Sequence, residues 1–220
     1  MVDEFLTLAN SSEGYYMDRG SKFLAYAFPV SDELQASQFL QKIKKDHPKA
    51  RHYCSALRLL PDGSFERVND DGEPSGSAGK PMLGQLIKND LTNVLVIVVR
   101  YFGGTKLGVP GLIEAYKTST SNAIQTGSIV KKYVFTTIRL DMSYEQLPLW
   151  VNHFRQHGIP IFKEEYNEGA SLFLGFKRST HLNDLKGTFR EYSQHDFAEL
   201  RDYSKHLNII ITFLNDEHIL

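Results

Sequence analysis

An unbroken apolar segment, Val94–Val99 (VLVIVV), constrains the fold more than any other feature of this chain. It is rich in β-branched residues and shows no polar alternation, which is typical of a strand covered on both faces. Arg100 follows it, and we expect Arg100 to be the first residue of this strand that reaches water. Gly103 and Gly104 permit a sharp bend or convergent backbone amides, and Pro110 favours the start of a helix. The order of strand, glycine loop and helix predicts a binding loop.

The residues around this segment predict a first mixed α and β unit. Asp32 is a suitable N-cap for a helix, and Pro61-Asp62-Gly63 has the composition of a hairpin turn. Strands are expected within 15–30 and over 52–60, 65–68 and 94–102, and helices over 33–46, 81–88 and 110–126.

The rest of the chain predicts a β-α-β-β-α-β unit. Its expected elements are a strand over 133–141, a helix over 145–157, two strands around a turn at 167–169, a helix over 181–193 and a strand over 207–214. A ferredoxin-like sandwich is the simplest fold for this order. The segment Gln194–His206 fits either an extended helix or a further strand. The overall class is therefore α+β, with domains at 1–130 and 131–220.

Composition restricts the classes of function. The 220 residues hold 25 Lys and Arg against 26 Asp and Glu, so bulk charge does not favour a long nucleic-acid backbone. Cys54 is the single cysteine, which rules out an intramolecular disulfide. The N-terminal residues do not resemble a signal peptide, and VLVIVV is too short to span a bilayer. We expect a soluble cytoplasmic protein.

The loop after the apolar strand is the first candidate site. Gly103, Gly104 and Lys106, with Arg100 nearby and a helix starting near Pro110, supply the parts of an anion site. The segment GGTKLG lacks the spacing of a nucleotide-binding P-loop. Two interpretations stay open, a phosphate-bearing partner and glycines that only permit a tight turn.

A second candidate is the polar loop that spans residues 70–80. Carboxylates this close together suit Mg²⁺ binding or acid and base catalysis, but their spacing is not that of a calcium loop. The interpretation we favour is an ordered loop whose side chains bond its own backbone amides, a common place for function. Its candidate residues are Asp70, Asp71, Glu73, Ser75, Ser77 and Lys80.

A third candidate pairs His52 with Cys54, which share one face of a predicted strand. Same-face neighbours rarely reach the geometry of nucleophilic catalysis, so we favour a small buried cysteine. Tyr101 and Phe102 lie beside Arg100 and are candidates to stack on a base or to pack beneath the loop. We assign no catalytic residue and no metal ligand, and we expect no cofactor.

Three segments together resemble the IMPACT/YigZ family over residues 15–130. They are Arg51–Cys54 (RHYC), Asp70–Leu83 (DDGEPSGSAGKPML), and RYFGG followed by LG at 100–108. The resemblance implies a first domain like the second domain of ribosomal protein S5 and a second like the C-terminal domain of elongation factor G. It also implies that eukaryotic members regulate translation by contact with a translation factor or a ribosome-associated partner, and it leaves the partner of bacterial members open.

We therefore expect a non-enzymatic binding protein linked to translation that contacts RNA, the ribosome or a translation factor. The alternative is an enzyme acting on a small phosphorylated substrate, with Lys80, Lys106 or Arg100 on the phosphate and with Asp70, Asp71 or Glu73 as base or metal ligand. The candidate binding residues are His52, Asp70, Asp71, Glu73, Ser75, Ser77, Lys80, Arg100, Tyr101, Gly103, Gly104 and Lys106. The oligomeric state and the partner's identity do not follow from the sequence.

Overall fold

The computed structural model of this chain describes residues 2–219 and divides into two compact units of mixed α/β structure. The N-terminal unit spans Glu4–Lys132, and the C-terminal unit runs from Tyr133 onward and includes Asp3. The described residues form ten strands and six helices in two sheets.

The N-terminal unit contains an antiparallel sheet of order β2-β3-β6-β4-β5. The apolar segment forms the central strand, and its residues Val94–Val99 are at most 3% exposed, as the sequence predicted. The elements of this unit are β1 (Glu4–Leu8), β2 (Ser12–Asp18), β3 (Ser21–Pro29), α1 (Glu33–Asp46), β4 (His52–Leu59), β5 (Phe65–Asn69), α2 (Gly79–Lys88), β6 (Val94–Tyr101) and α3 (Gly108–Thr126).

Both faces of this sheet are packed by helices. Val96 and Val98 of β6 point to the face covered by α2 and α3, and Ile97 and Val99 point to the face covered by α1. Because side chains of a strand alternate between faces, consecutive residues at the end of β6 enter different environments.

A local signal explains the start of α1, whereas α2 and α3 begin earlier than predicted. Helix α1 begins at Glu33, as predicted, because the Asp32 carboxylate accepts the backbone N–H of Gln35 at 2.8 Å. Helices α2 and α3 begin at Gly79 and Gly108, two residues before the predicted starts. Strand β1 was not predicted.

The C-terminal unit has the predicted element order with one addition. Its sheet order is β10-β7-β9-β8 with antiparallel neighbours, and β7 begins before the boundary between the units. Its elements are β7 (Ile129–Met142), α4 (Leu147–Gln156), β8 (Ile161–Tyr166), β9 (Ala170–Lys177), α5 (His181–Ser193), α6 (Leu200–Leu207) and β10 (Ile210–Ile219).

The segment Gln194–His206 is neither an extension of α5 nor a strand. Gln194 adopts a left-handed conformation (φ 58°) that ends α5, and the separate helix α6 follows. The last strand therefore starts at Ile210 and not at residue 207. Trp150, Phe189 and Tyr203 are fully buried at the centre of this unit's core.

Gly14 permits α3 to lie directly on β2. A Cβ added there would lie 2.3 Å from the backbone nitrogen of Ala123 and 2.5 Å from the carbonyl oxygen of Ser119. Gly84, in contrast, is exposed on α2 with nothing within 4 Å of an added Cβ.

The substitution Gly14→Ala is expected to lower the free energy of unfolding by about 3 kcal/mol, because the helix backbone must move. Gly84→Ala is the matched control and should raise it by about 0.5–1 kcal/mol through helix propensity. Urea unfolding of the two variants measures both values. Equal effects from the two substitutions would contradict this packing.

Candidate functional site

The loop between β5 and α2 is organised by the carboxylate of Asp70. Its Oδ1 accepts the backbone N–H groups of Ala78 at 3.0 Å and Gly79 at 2.8 Å, and its Oδ2 accepts that of Gly76 at 2.8 Å. Partial burial acts to raise the pKa of Asp70, but these amide hydrogen bonds outweigh it and the pKa is lowered. The Asp70 carboxylate thus satisfies free N–H groups at the start of α2 and offsets the partial positive charge there. This explains why the helix begins at Gly79, two residues before the predicted start.

Asp71 attaches the same loop to β4. Its Oδ2 accepts the backbone N–H of Tyr53 at 2.7 Å, and its carbonyl oxygen lies 2.9 Å from Nδ1 of His52. Ser77 Oγ donates to the carbonyl of Pro74 at 2.6 Å, within the loop. These contacts agree with the interpretation that the loop's side chains order its own backbone.

Glu73 and Arg100 form a buried ion pair. Arg100 Nη1 donates to Glu73 Oε1 at 2.6 Å, and their side chains are only 7% and 4% exposed. Tyr116 of α3 donates its hydroxyl hydrogen to the same carboxylate oxygen at 2.9 Å. The Cys54 sulfur lies 3.2 Å from that hydroxyl oxygen and 3.0 Å from the carbonyl oxygen of Asp70. We call Cys54, Glu73, Arg100 and Tyr116 the buried polar network.

Aromatic rings enclose the guanidinium of Arg100. Its Cζ lies 5.4 Å from the ring centre of Phe23 and 5.6 Å from that of Phe102. Arg100 Nε has no hydrogen-bond partner among the described residues. Arg100 therefore fixes the end of β6 to the 70–80 loop.

Two expectations about the end of β6 are wrong: that Arg100 reaches water, and that Tyr101 lies beside Arg100 at the loop. Arg100 is only 6% exposed, so it is not a cation on the rim that reaches water. The carboxylate that holds it comes from a residue 27 positions away, which strand periodicity does not reveal. Tyr101 lies on the α1 face, with its hydroxyl oxygen 3.0 Å from His47 Nδ1, because neighbours on a strand face opposite ways.

Cys54 has the environment of a structural cysteine. It is fully buried, and burial raises the pKa of its thiol to about 12, with the nearby carboxylates adding to the rise. Burial also raises the pKa of the Tyr116 hydroxyl. A thiol that stays protonated at neutral pH is a poor nucleophile, so these groups serve packing and hydrogen bonding.

The glycine pair after β6 has two different roles. A Cβ on Gly103 would lie 1.9 Å from the carbonyl carbon of Gly20, and the Gly103 N–H donates to Ser21 Oγ at 3.1 Å. Gly104 adopts φ +88° in open space. Gly103 therefore permits close contact with the backbone of Gly20, and Gly104 permits the turn after β6. Both roles are those of the interpretation in which the glycines only permit a tight turn. Gly103 does not offer its amide to a ligand.

The exposed parts of the two loops are cationic and aromatic. Phe102 is 54% exposed, and Lys80, Lys106 and Ser75 are also exposed. Within residues 2–219, neither lysine forms an ion pair. Lys80 lies near enough to Asp70 to help lower the pKa of that carboxyl. These residues form the surface that remains available to a partner.

Tyr116 is the one member of the buried polar network that the sequence did not single out as a candidate. It occupies an apolar position of α3, and no sequence signal separates a core tyrosine from one whose hydroxyl bonds a buried carboxylate. In the described part of the chain, no group of three or more His, Cys, Asp or Glu is placed to hold a metal ion. Within the same residues, no helix is long and apolar enough to cross a membrane.

Comparison with known proteins identifies the family. The model of the Impact N-terminal domain matches residues 19–124, which include all four members of the buried polar network. The IMPACT family member YvyE of Bacillus subtilis is 36% identical over 172 residues, 78% of this chain and 79% of that protein. This chain belongs to the IMPACT family.

A yeast relative carries the same family name, and a solved structure is similar over most of the chain. A protein IMPACT homolog of Saccharomyces cerevisiae is 37% identical over 115 residues, which cover 50% of this chain and 44% of that protein. The crystal structure of a hypothetical protein superposes with a TM-score of 0.65 at 28% identity, over 88% of this chain and 95% of that one.

The ion pair is expected to stabilise the fold only as a pair. Glu73→Gln leaves a buried unpaired cation and should lower the free energy of unfolding by about 3–5 kcal/mol. Adding Arg100→Met removes that cation, so the double variant should lose less than the sum of the single variants. Urea unfolding measures all three, and Glu114→Gln at an exposed ion pair is the control with no expected change. Additive losses in the double variant would contradict the coupling.

Proposed function

We propose that this member of the IMPACT family is a non-enzymatic binding protein that acts in translation or its regulation. Its contact would be with RNA, the ribosome or a translation factor. Membership of the family supports the link to translation, because the resemblance implies that eukaryotic members regulate translation. The yeast homolog is a eukaryotic relative of this chain.

The observation that carries the binding role is the closure of the buried polar network. Groups that an enzyme would need are engaged inside the protein: Glu73 by Arg100 and Tyr116, and Asp70 by backbone amides. The Cys54 thiol is protonated and buried. In this arrangement the alternative enzyme has neither Arg100 free to bind a phosphate nor Asp70, Asp71 and Glu73 free to act as bases, while Lys80 and Lys106 stay exposed.

The proposed contact surface consists of the outer parts of the 70–80 and 100–108 loops. Lys80 and Lys106 supply positive charge, and exposed Phe102 supplies a ring that can stack or pack against a partner. Arg100 and Glu73 position this surface from below and do not touch the partner. Rigid support beneath exposed loops is the usual construction of a recognition site.

The two units further support fold assignments implied by the resemblance. We assign residues 131–220 to a ferredoxin-like domain similar to the C-terminal domain of elongation factor G, since the sheet order β10-β7-β9-β8 and two helices between strands suit that fold. We assign residues 1–130 to a domain similar to the second domain of ribosomal protein S5. Both folds occur in RNA-facing translation proteins, which is an analogy of fold.

We also propose a cytoplasmic location, in keeping with a single, unpaired cysteine.

Lys80→Ala together with Lys106→Ala is expected to weaken association with purified ribosomes and total RNA. If each lysine contacts one phosphate, the slope of log affinity against log salt should fall by about 1.4–1.8. Lys45→Ala with Lys88→Ala removes the same charge from exposed positions of α1 and α2 and is the matched control. Sedimentation with ribosomes and filter binding of RNA over a salt series measure the change.

Two results would reject parts of this proposal. Equal binding by both double variants would exclude the loop surface as the contact. Saturable binding of a small phosphorylated metabolite that is abolished by Lys106→Ala would favour the enzyme.

A further inference from the structure

The two edges of the N-terminal sheet differ in how their backbone groups are satisfied. At the β2 edge, Asn122 Nδ2 donates to the carbonyl of Tyr15 at 2.9 Å, and Thr126 Oγ1 donates to the carbonyl of Glu13 at 2.6 Å. Both side chains come from α3. They occupy acceptors that an additional strand would need, so this edge is protected.

The β5 edge has no such protection. Among the described residues, the backbone groups of Phe65–Asn69 form hydrogen bonds only with β4. Every second residue of an antiparallel edge strand directs its N–H and C=O away from the sheet. Glu66, Arg67 and Asn69 are exposed, so this edge is accessible. Another extended main chain can form hydrogen bonds with all of these outward-directed groups.

A trough with both apolar and polar lining lies beside this edge. It has a volume of about 340 Å³ between α1 and β5, and the ion pair of Glu33 with Arg67 borders it. We call it the α1–β5 trough. Its apolar lining residues are Ala36, Leu40, Leu57, Val68 and Leu95, and its uncharged polar lining residues are Ser37, Ser55 and Asn69. A cavity of this size and lining suits one large apolar side chain.

The charges around the trough select against a polyanion. Glu33 pairs with Arg67, and Glu66 Oε1 lies 3.4 Å from Nε of Arg58, so acids and bases are balanced. A nucleic acid requires excess positive charge to replace its counterions. A neutral segment with an apolar side chain meets no such mismatch.

A second copy of the chain is a poor occupant of the same edge. If two β5 strands paired antiparallel about a two-fold axis with all five residues aligned, Arg67 would lie opposite Arg67 of the other copy. Like charges directly opposite one another are destabilising. The edge therefore suits a different sequence.

We propose that β5 accepts an extended peptide segment of another protein as an added strand, with a large apolar side chain of that segment in the α1–β5 trough. Main-chain hydrogen bonds supply the affinity in this mode, and the trough supplies the specificity. The inference concerns a surface separate from the 70–80 and 100–108 loops. It does not depend on the proposed function.

The probe is a phage-displayed library of random peptides of about nine residues, roughly a long strand. It is selected on the full-length protein. Recovered peptides are synthesised and titrated against the wild type, Ser37→Trp and Gln38→Trp. Ser37 lines the trough, whereas Gln38 is exposed on the same helix outside it. Each peptide is also made with N-methyl groups on alternate backbone nitrogens, in both registers.

We expect Ser37→Trp to weaken peptide binding by at least about tenfold, since it fills the trough, and Gln38→Trp to leave it unchanged. Of the two N-methylated forms of a peptide, one should bind at least about tenfold more weakly, because its backbone hydrogen bonds to β5 are lost. The form in the other register should bind like the unmodified peptide. In the wild type, hydrogen exchange at β5 amides should slow when peptide is added. The last two readouts require no variant to fold.

Three results would overturn the inference. They are a selection that recovers no binders, binders that tolerate both N-methyl registers, and protection of β5 amides by self-association without peptide.

Discussion

The buried ion pair between Arg100 and Glu73 is the interaction on which the candidate site depends. Removing both charges from water is costly, and the pair is tolerated only with close geometry and further hydrogen bonds. The 2.6 Å contact and the Tyr116 hydroxyl provide both. Since either charge alone would be strongly unfavourable in this environment, the end of β6 and the 70–80 loop are held in one arrangement.

This arrangement separates the interior of the site from its surface. Inside, Cys54 and Tyr116 remain protonated and complete the hydrogen bonding around the carboxylate. Outside, Phe102 and Lys106 follow directly from β6 and are exposed. The polar groups of the interior thus serve as support, and the exposed cations and ring form the surface to which we assign the proposed binding role.

The elements set by local sequence could be predicted, and those set by distant partners could not. Helix α1 follows from the Asp32 cap, and β6 follows from its apolar run. The burial of Arg100 depends on a carboxylate far along the chain, and the early start of α2 depends on the Asp70 side chain. The face of Tyr101 was predictable, because strict alternation after Arg100 places it on the other side.

Alkylation of the single cysteine tests the closed network most directly. With a thiol pKa of about 12 in the native state, Cys54 should show no rise in iodoacetamide reactivity near pH 8.5, where an exposed thiol ionises. Its labelling rate should instead increase with urea in parallel with global unfolding. Rapid labelling of the native protein, with an inflection near pH 8.5, would show that the network is open and would contradict the account.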